Sequence, residues 1–398
     1  MGIFRTIPPT AGFKITFKDF EGFHQPGTLE GNFKRYLKLP YAAVTYSGTA
    51  ALYFILEAIK KLSSKTTVVI PSFVCPLVAL AIIRAGLKVK ICDLKANRFD
   101  FDEQQLKDIC QKDQDILAVI AVHLVGLPVD LTKIQEITHR HGIFIIEDCA
   151  QALGAQYGGE KVGAIGDFAF FSLGRGKGLT IYEGGVLATK HPSHIPLLQE
   201  TTERLEHENF LSESLKIIEL FGYALFYRPS LFWFVFGLPQ KFWEIQGQQL
   251  RAMGEYYTTD FGTHRVSHFR KSFAHACFPR LDSEIAQQRQ KVCFYLEHLK
   301  QSGLEIIQEL PQSKAVYPYV SIIVKDLQKR QEILNQIKNL DLGVSIIYAS
   351  VIDDYPYLKD IISPGQNSNG RYLASHTLTL STSTFLTQQD LLRITQIF

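Results

Sequence analysis

Short apolar runs punctuate the first half of the chain: TTVVI (66–70), ILAVIAV (116–122), IFIIE (143–147), FAFFS (168–172) and GVLAT (185–189). Successive side chains of a strand point to opposite sides of its sheet, so a strand that is apolar throughout must be covered on both faces. Between these runs lie stretches of helical length and composition: AALYFILEAIKK (50–61), 77–85, 103–112 and 130–141. A further strand pattern, LKVKICDL, spans 87–94. This alternation predicts an α/β fold with a mostly parallel sheet between helical layers. The last third reads differently. It has a long polar helix near 282–302, a strand near 317–324, a helix at 327–339, a strand at 343–349 and a last helix from about 387. The expected division is a large domain over 1–265 and a smaller α+β domain over 266–398.

Charge narrows the function classes. Lys and Arg number 42 against 39 Asp and Glu, a net charge of +3, which removes the bulk electrostatic case for a nucleic-acid partner. With 46% hydrophobic and 20% charged residues the chain can bury a large core. No stretch approaches the ~18 uninterrupted apolar residues of a membrane span, and the start, MGIFRTIPPTAGFK, lacks the pattern of a secretory signal. Six cysteines stand singly, with no CxxC pair. That usage points to a reducing compartment and to neither a disulfide framework nor a thiolate metal site. A cytoplasmic enzyme is expected.

Residues 196–265 resist a simple reading. They include ELFGYALFYRPSLFWFVFGLPQKFW (219–243), dense in aromatics and interrupted by Pro229 and Pro239. An insertion packed on the core, a subunit interface, or a peripheral membrane contact each accounts for this composition.

In α/β sheets, ligands sit beyond the carboxyl ends of the strands. Four such places stand out. Ser47-Gly48-Thr49-Ala50 runs from a strand into a helix, whose free N–H groups suit an anion, although an ordinary helix cap has the same pattern. Glu147-Asp148-Cys149-Ala150-Gln151 follows a buried strand. A carboxylate there needs a partner, such as a protonated heterocyclic nitrogen or a helix N-terminus. Ser172-Leu173-Gly174-Arg175-Gly176-Lys177-Gly178 is a glycine-rich turn without the spacing of a P-loop. Its lysine suits either a Schiff base or solvent. Glu183-Gly184-Gly185 indicates a tight turn.

Taken together, SGTAAL, IPSF, VHLVG, IEDCAQALGA, KVGAIGDFAFFS, the Lys177 turn and EGG occur in order. The series resembles the DegT/StrS-type nucleotide-sugar aminotransferases, which bind pyridoxal 5'-phosphate in the aspartate-aminotransferase fold (fold type I). The resemblance is strong over roughly 28–192. It returns at Arg280-Leu281-Asp282 and over 343–398. It implies that Lys177 carries the cofactor, that Asp148 pairs with the ring nitrogen, and that Gln151 lies beside the ring's phenolic oxygen. Ser172 with the backbone of Gly48 and Thr49 would hold the phosphate. His123 and Arg175 are expected near the substrate. The implied reaction moves an amino group from an amino acid, expected to be glutamate, to a keto-sugar nucleotide, in a homodimer. The alternatives are a non-sugar ketone as acceptor, or a cofactor-binding regulator that has lost catalysis. Two departures stand out. GRGKG replaces the family's HPTKN around the lysine, and Cys75 stands where an aromatic usually stacks on the ring, with Phe73 as its nearest substitute.

Overall fold

The computed structural model describes residues 5–21, 26–204, 209–337 and 341–398. Seven strands make the large sheet: β1 (Tyr41–Thr45), β2 (Thr67–Pro71), β3 (Lys88–Cys92), β4 (Ile116–Val122), β5 (Phe144–Asp148), β6 (Phe168–Ser172) and β7 (Gly185–Thr189). Their order is β1-β7-β6-β5-β4-β2-β3. β7 runs antiparallel to both of its neighbours, whereas the pairs from β6 to β3 are parallel. The expected mostly parallel sheet is the one observed.

Alternation along the strands builds two cores, one on each face. In β4, Ala118, Ile120 and Val122 join α2 (Gly48–Ile59) and α3 (Pro76–Arg84) on one side. Val119 and Ala121 join α1 (Leu29–Leu37), α4 (Glu103–Lys112) and α5 (Leu131–Thr138) on the other. Every residue of β4 is buried, as its uninterrupted apolar sequence requires.

One expected strand is replaced, and two further features shape the fold. The segment 343–349 makes only an isolated bridge, Ser345 with Thr379, and forms no strand. The antiparallel small sheet is instead built from Glu305–Ile306, Tyr319–Ile323 and Thr377–Ser381. The Thr/Leu alternation of that last strand is hidden in a run of Ser and Thr that reads as a loop. The helix His268–Cys277 contributes Phe273, Ala274 and Cys277 to the same core as α1, so elements on the large-sheet side continue beyond 265. Finally, residues 6–13 form a strap between the two sheets. Ile7 N donates to Asp341 O, Ala11 N to Pro318 O and Phe13 N to Lys177 O, at 2.8, 2.7 and 3.0 Å.

The aromatic-rich region is helical. After α6 (Ile195–Glu203), the helix α7 (Phe210–Phe226) is pinned by a buried ion pair. Arg270, wholly buried, donates to Glu213 through Nε at 2.9 Å, and Ser267 N donates to the same carboxylate at 2.8 Å. Arg270 also reaches the Glu183 carbonyl just before β7, which ties α7 to the sheet. Tyr223 and Tyr227 stack at 4.3 Å against the strap at Gly12, where a Cβ would lie 2.5 Å from both hydroxyls. No helix among the described residues is long and apolar enough to cross a membrane.

Candidate active site

The carboxyl ends of β1, β4, β5 and β6 open onto a cavity of about 970 Å³. Gly48, Thr49, His123, Asp148, Gln151, Ser172, Arg175 and Lys177 all line it, so positions up to 129 residues apart in the chain (177 − 48) meet around one space. Tyr319 and Ser345–Tyr348 from the small-sheet side, and Tyr256–Tyr257 from the segment after the aromatic region, also line it.

At one end lies the start of α2. Ser47 Oγ accepts from Ala50 N at 3.1 Å, which leaves the first N–H groups, those of Gly48 and Thr49, without an intrahelical partner. Two glycines allow this end to sit against the sheet. A Cβ on Gly185 would be 2.2 Å from the Ser47 carbonyl oxygen, and one on Gly48 would be 3.2 Å from Ser172 Cβ. The EGG motif is therefore a close-approach requirement as well as a turn. Ser172 Oγ lies alongside and accepts from Gly174 N at 3.3 Å.

Two adjacent carboxylates at the end of β5 serve opposite ends. Glu147 points away from the cavity and accepts from the N–H groups of Gly163, Ile165 and Gly166 at 2.8, 2.8 and 2.6 Å, and from His123 Nε2 at 3.1 Å. Burial alone would raise its pKa; the His123 and backbone hydrogen bonds outweigh that and hold the carboxyl below its ordinary range. Asp148 has one such bond, from Ala150 N to Oδ1 at 2.9 Å. Burial pushes its carboxyl up to about 6, against the opposing pull of that N–H, Lys177 and His123.

His123 is wholly committed to the protein. Val129 N donates to its Nδ1 at 3.2 Å, which puts the ring hydrogen on Nε2, facing Glu147. The ring lines the cavity while both of its nitrogens are engaged by the protein. Gln151 is similarly anchored: its Oε1 accepts from Val125 N and Tyr319 Oη, both at 2.9 Å, and its Nε2 donates to Tyr348 Oη at 3.2 Å. Val125 holds φ 60°, a costly conformation for a β-branched residue, and the Gln151 bond fixes it.

Lys177 sits on the cavity wall within a turn closed by Lys177 N donating to Gly174 O at 3.3 Å. Burial pushes its amine below the ordinary lysine range, opposed by Cys75 and Asp148. Among the described residues no hydrogen-bond or ion-pair partner holds that amine. Gly176, at φ 71°, packs against the strap, and a Cβ there would meet Thr10 Oγ1 at 2.7 Å. Arg175 is exposed at the rim, 5.4 Å from the Tyr182 ring.

Cys75 lines the cavity, with its thiol pushed up to about 11 by burial. Phe73 does not reach the cavity; it packs instead on Phe99 and Tyr348, with ring centroids 6.5 and 5.7 Å away. Lys216 on α7 also lines the cavity and bridges Glu183 at 2.8 Å and Glu219 at 2.9 Å. Glu219 stands three residues on along the same helix, whereas Glu183 and the cavity reach Lys216 only in the fold. Tyr182 left a faint signal: it directly precedes EGG, and its φ of 72° is a glycine-like conformation held beside the site.

Against known proteins, the sequence profile of the DegT/DnrJ/EryC1/StrS aminotransferase family matches residues 24–209 and 241–398. GDP-perosamine synthase of Vibrio cholerae is 29% identical over 161 residues, 40% of this chain and 43% of that protein. L-glutamine:2-deoxy-scyllo-inosose aminotransferase of Streptomyces kanamyceticus is 32% identical over 160 residues, 40% of this chain and 37% of that protein. These alignments span less than half the length of the curated relatives. Among solved structures, Spr1654 from Streptococcus pneumoniae in its PLP form superposes with a TM-score of 0.74 at 17% identity, covering 98% of this chain and 97% of that one. That likeness shows the fold: a large mostly parallel sheet between helices, with a smaller α+β unit. With the profile covering most of its length, the chain belongs to the DegT/DnrJ/EryC1/StrS aminotransferase family.

Proposed function

We propose that this chain is a pyridoxal-phosphate-dependent aminotransferase that moves an amino group from an amino acid such as glutamate to a nucleotide-linked keto-sugar, for glycan biosynthesis. One observation carries the reading: the buried Lys177 amine and the Asp148 carboxylate, which has one hydrogen bond among the described residues, share one cavity with an open helix N-terminus. The donor set suits the cofactor. Asp148 needs a cation, and a protonated ring nitrogen supplies one. The N–H groups of Gly48 and Thr49 with Ser172 suit a phosphate. Gln151, fixed by three hydrogen bonds, is preorganised for a ring oxygen.

When bound, the cofactor supplies the electron sink that the protein lacks. Lys177 Nζ would hold it, and burial favours the neutral, nucleophilic amine that this role requires. The same Nζ, when free, would be placed to take and return a proton in the cavity. Asp148 would pair with the ring nitrogen, while Glu147 and His123 hold the β4 and β5 ends in register. Arg175 at the rim is the cation placed to meet an anionic group of either substrate. We place the reaction in the cytoplasm and the chain in a homodimer, the assembly that the family resemblance implies.

A second acceptor class has support from two relatives, which are named for 2-deoxy-scyllo-inosose, a cyclitol ketone. Incubating the loaded protein with glutamate, then separately with nucleotide-linked keto-sugars and cyclitol ketones, distinguishes the two. Formation of an amino-sugar nucleotide supports the first reading. Amination of the cyclitol alone replaces it, and no exchange with any amino donor points to a cofactor-binding protein without transfer activity.

A further inference from the structure

The turn that carries Lys177 has little support of its own. Gly174, Gly176 and Gly178 lose more backbone freedom on folding than other residues would. Its internal backbone bond, from Lys177 N to Gly174 O, is long at 3.3 Å, and a Cβ on Gly178 would meet nothing within 4 Å. The bracing comes from the strap. Phe13 N donates to the Lys177 carbonyl at 3.0 Å, and Thr10 lies against Gly176. Pro9 and Thr10 line the cavity together with Lys177. A shift of the strap is therefore passed to the lysine's own peptide unit.

Tyr227, the residue that ends α7, holds the strap in place. Its buried hydroxyl donates to the Thr10 carbonyl at 3.0 Å. With its one hydrogen so used, it accepts from Thr10 Oγ1 at 3.1 Å and from Gly12 N at 3.3 Å, which fills its capacity. The ring is packed between Tyr223 and Phe232, with centroids 4.3 and 5.3 Å away, which fixes the direction of the hydroxyl. Two residues on, the Pro229 carbonyl accepts from Thr6 N at 2.8 Å. The end of α7 thus grips the strap at positions 6, 10 and 12, next to Phe13. The family profile matches 24–209 and 241–398, so the strap and Tyr227 both lie outside the matched residues, whereas Lys177 lies among them.

We infer that Tyr227 is a positioning residue for the reaction: through residues 10–13 of the strap, its hydroxyl fixes the Lys177 turn and so the direction from which the amine enters the cavity. This role rests on the reading of Lys177 as the cofactor's anchor. It gives the end of α7 a part in the reaction without contact with either substrate.

Tyr227→Phe keeps the ring and removes the hydroxyl. Amide hydrogen exchange of the cofactor-free full chain, read by mass spectrometry, is compared for peptides covering 10–13, 173–178 and 116–122. The expected result is exchange faster by roughly tenfold at 10–13 and 173–178 together, with 116–122 of β4 unchanged. On mixing with pyridoxal phosphate, growth of the visible band should slow roughly tenfold in the variant, with the band's position unchanged. Thr10→Val, which removes one of the three bonds, should move the same two peptides by less. Equal exchange at 173–178 in wild type and Tyr227→Phe overturns the inference. So does a rise shared in proportion by β4, since the hydroxyl would then serve overall stability alone, and so does an unchanged rate of cofactor capture. If the wild type captures no cofactor, the reading of the site fails, and the exchange comparison still decides whether Tyr227 holds the turn.

Discussion

Glu147 and Asp148 are neighbours on one strand and occupy opposite electrostatic environments. Four hydrogen bonds hold the first below the ordinary carboxylate range, while burial with a single backbone bond lifts the second to about 6. The period-two alternation of a strand turns one carboxylate into the fold and the other into the cavity. Among the described residues, Asp148 has one hydrogen bond, so burial dominates its carboxyl in spite of the pull of Lys177 and His123.

That charge has a cost with a defined pH window. The folded-state pKa of Asp148, about 6, lies above its ordinary 3.8, so the folded protein binds more protons between those values. Stability of the cofactor-free protein should fall as pH rises through this window, and the cost is complete above it. Asp148→Asn should therefore stabilise the cofactor-free protein at pH ~7 by up to about 3 kcal/mol, with the gain vanishing below pH ~4. Thermal unfolding at the two pH values checks it. The same variant should retain pyridoxal phosphate poorly, as read by absorbance after gel filtration.

Glu147 should behave in the opposite sense. Its depressed pKa means that it stabilises the folded state above the ordinary carboxylate pKa, and this contribution is lost as pH falls through the lower folded value. Glu147→Ala would leave His123 Nε2 and three backbone N–H groups buried without their acceptor, at a cost of about 3 kcal/mol or more. Urea unfolding at neutral pH measures this.

The Arg270–Glu213 pair anchors α7 and, with it, Lys216 in the cavity wall. Arg270→Leu leaves the Glu213 carboxylate buried without its cation, and should cost about 3–5 kcal/mol. The double variant Arg270→Leu/Glu213→Leu should recover most of that loss. Denaturant midpoints of the three proteins test the coupling.

Two glycines of the site should respond unequally to the same added methyl group. Gly185→Ala drives a Cβ to 2.2 Å from the Ser47 carbonyl, so the α2 terminus must shift, at about 1–3 kcal/mol and with weaker phosphate retention. A Cβ on Gly178 meets nothing within 4 Å, and Gly178→Ala should stay within about 0.5 kcal/mol of wild type. Paired melting curves decide this.

How much of this was readable in the sequence depends on whether the signal was local. ILAVIAV declares β4 because a doubly covered strand must be apolar throughout, and the positions of Lys177, Asp148 and Gln151 at strand ends follow from the same logic. The strap at 6–13 has no period to read, since its hydrogen-bond partners lie more than 160 residues away (177 − 13 = 164 for the nearest). His123 was legible as a residue near the site. Its tautomer depends on Val129 and Glu147, which only the fold brings to its two nitrogens. Lys216 makes a readable i,i+3 pair with Glu219, but its place in the cavity wall needs the fold, and Phe73 could be separated from Cys75 only by seeing which one faces the cavity.

The central claim is that Lys177 is the cofactor's covalent anchor. Its most direct test is the visible absorption spectrum of wild type and Lys177→Ala after incubation with pyridoxal phosphate and removal of the excess. The account predicts the band of lysine-bound cofactor in wild type, bleached on adding glutamate, and its absence from the variant. A band of equal strength and position in Lys177→Ala would contradict the account.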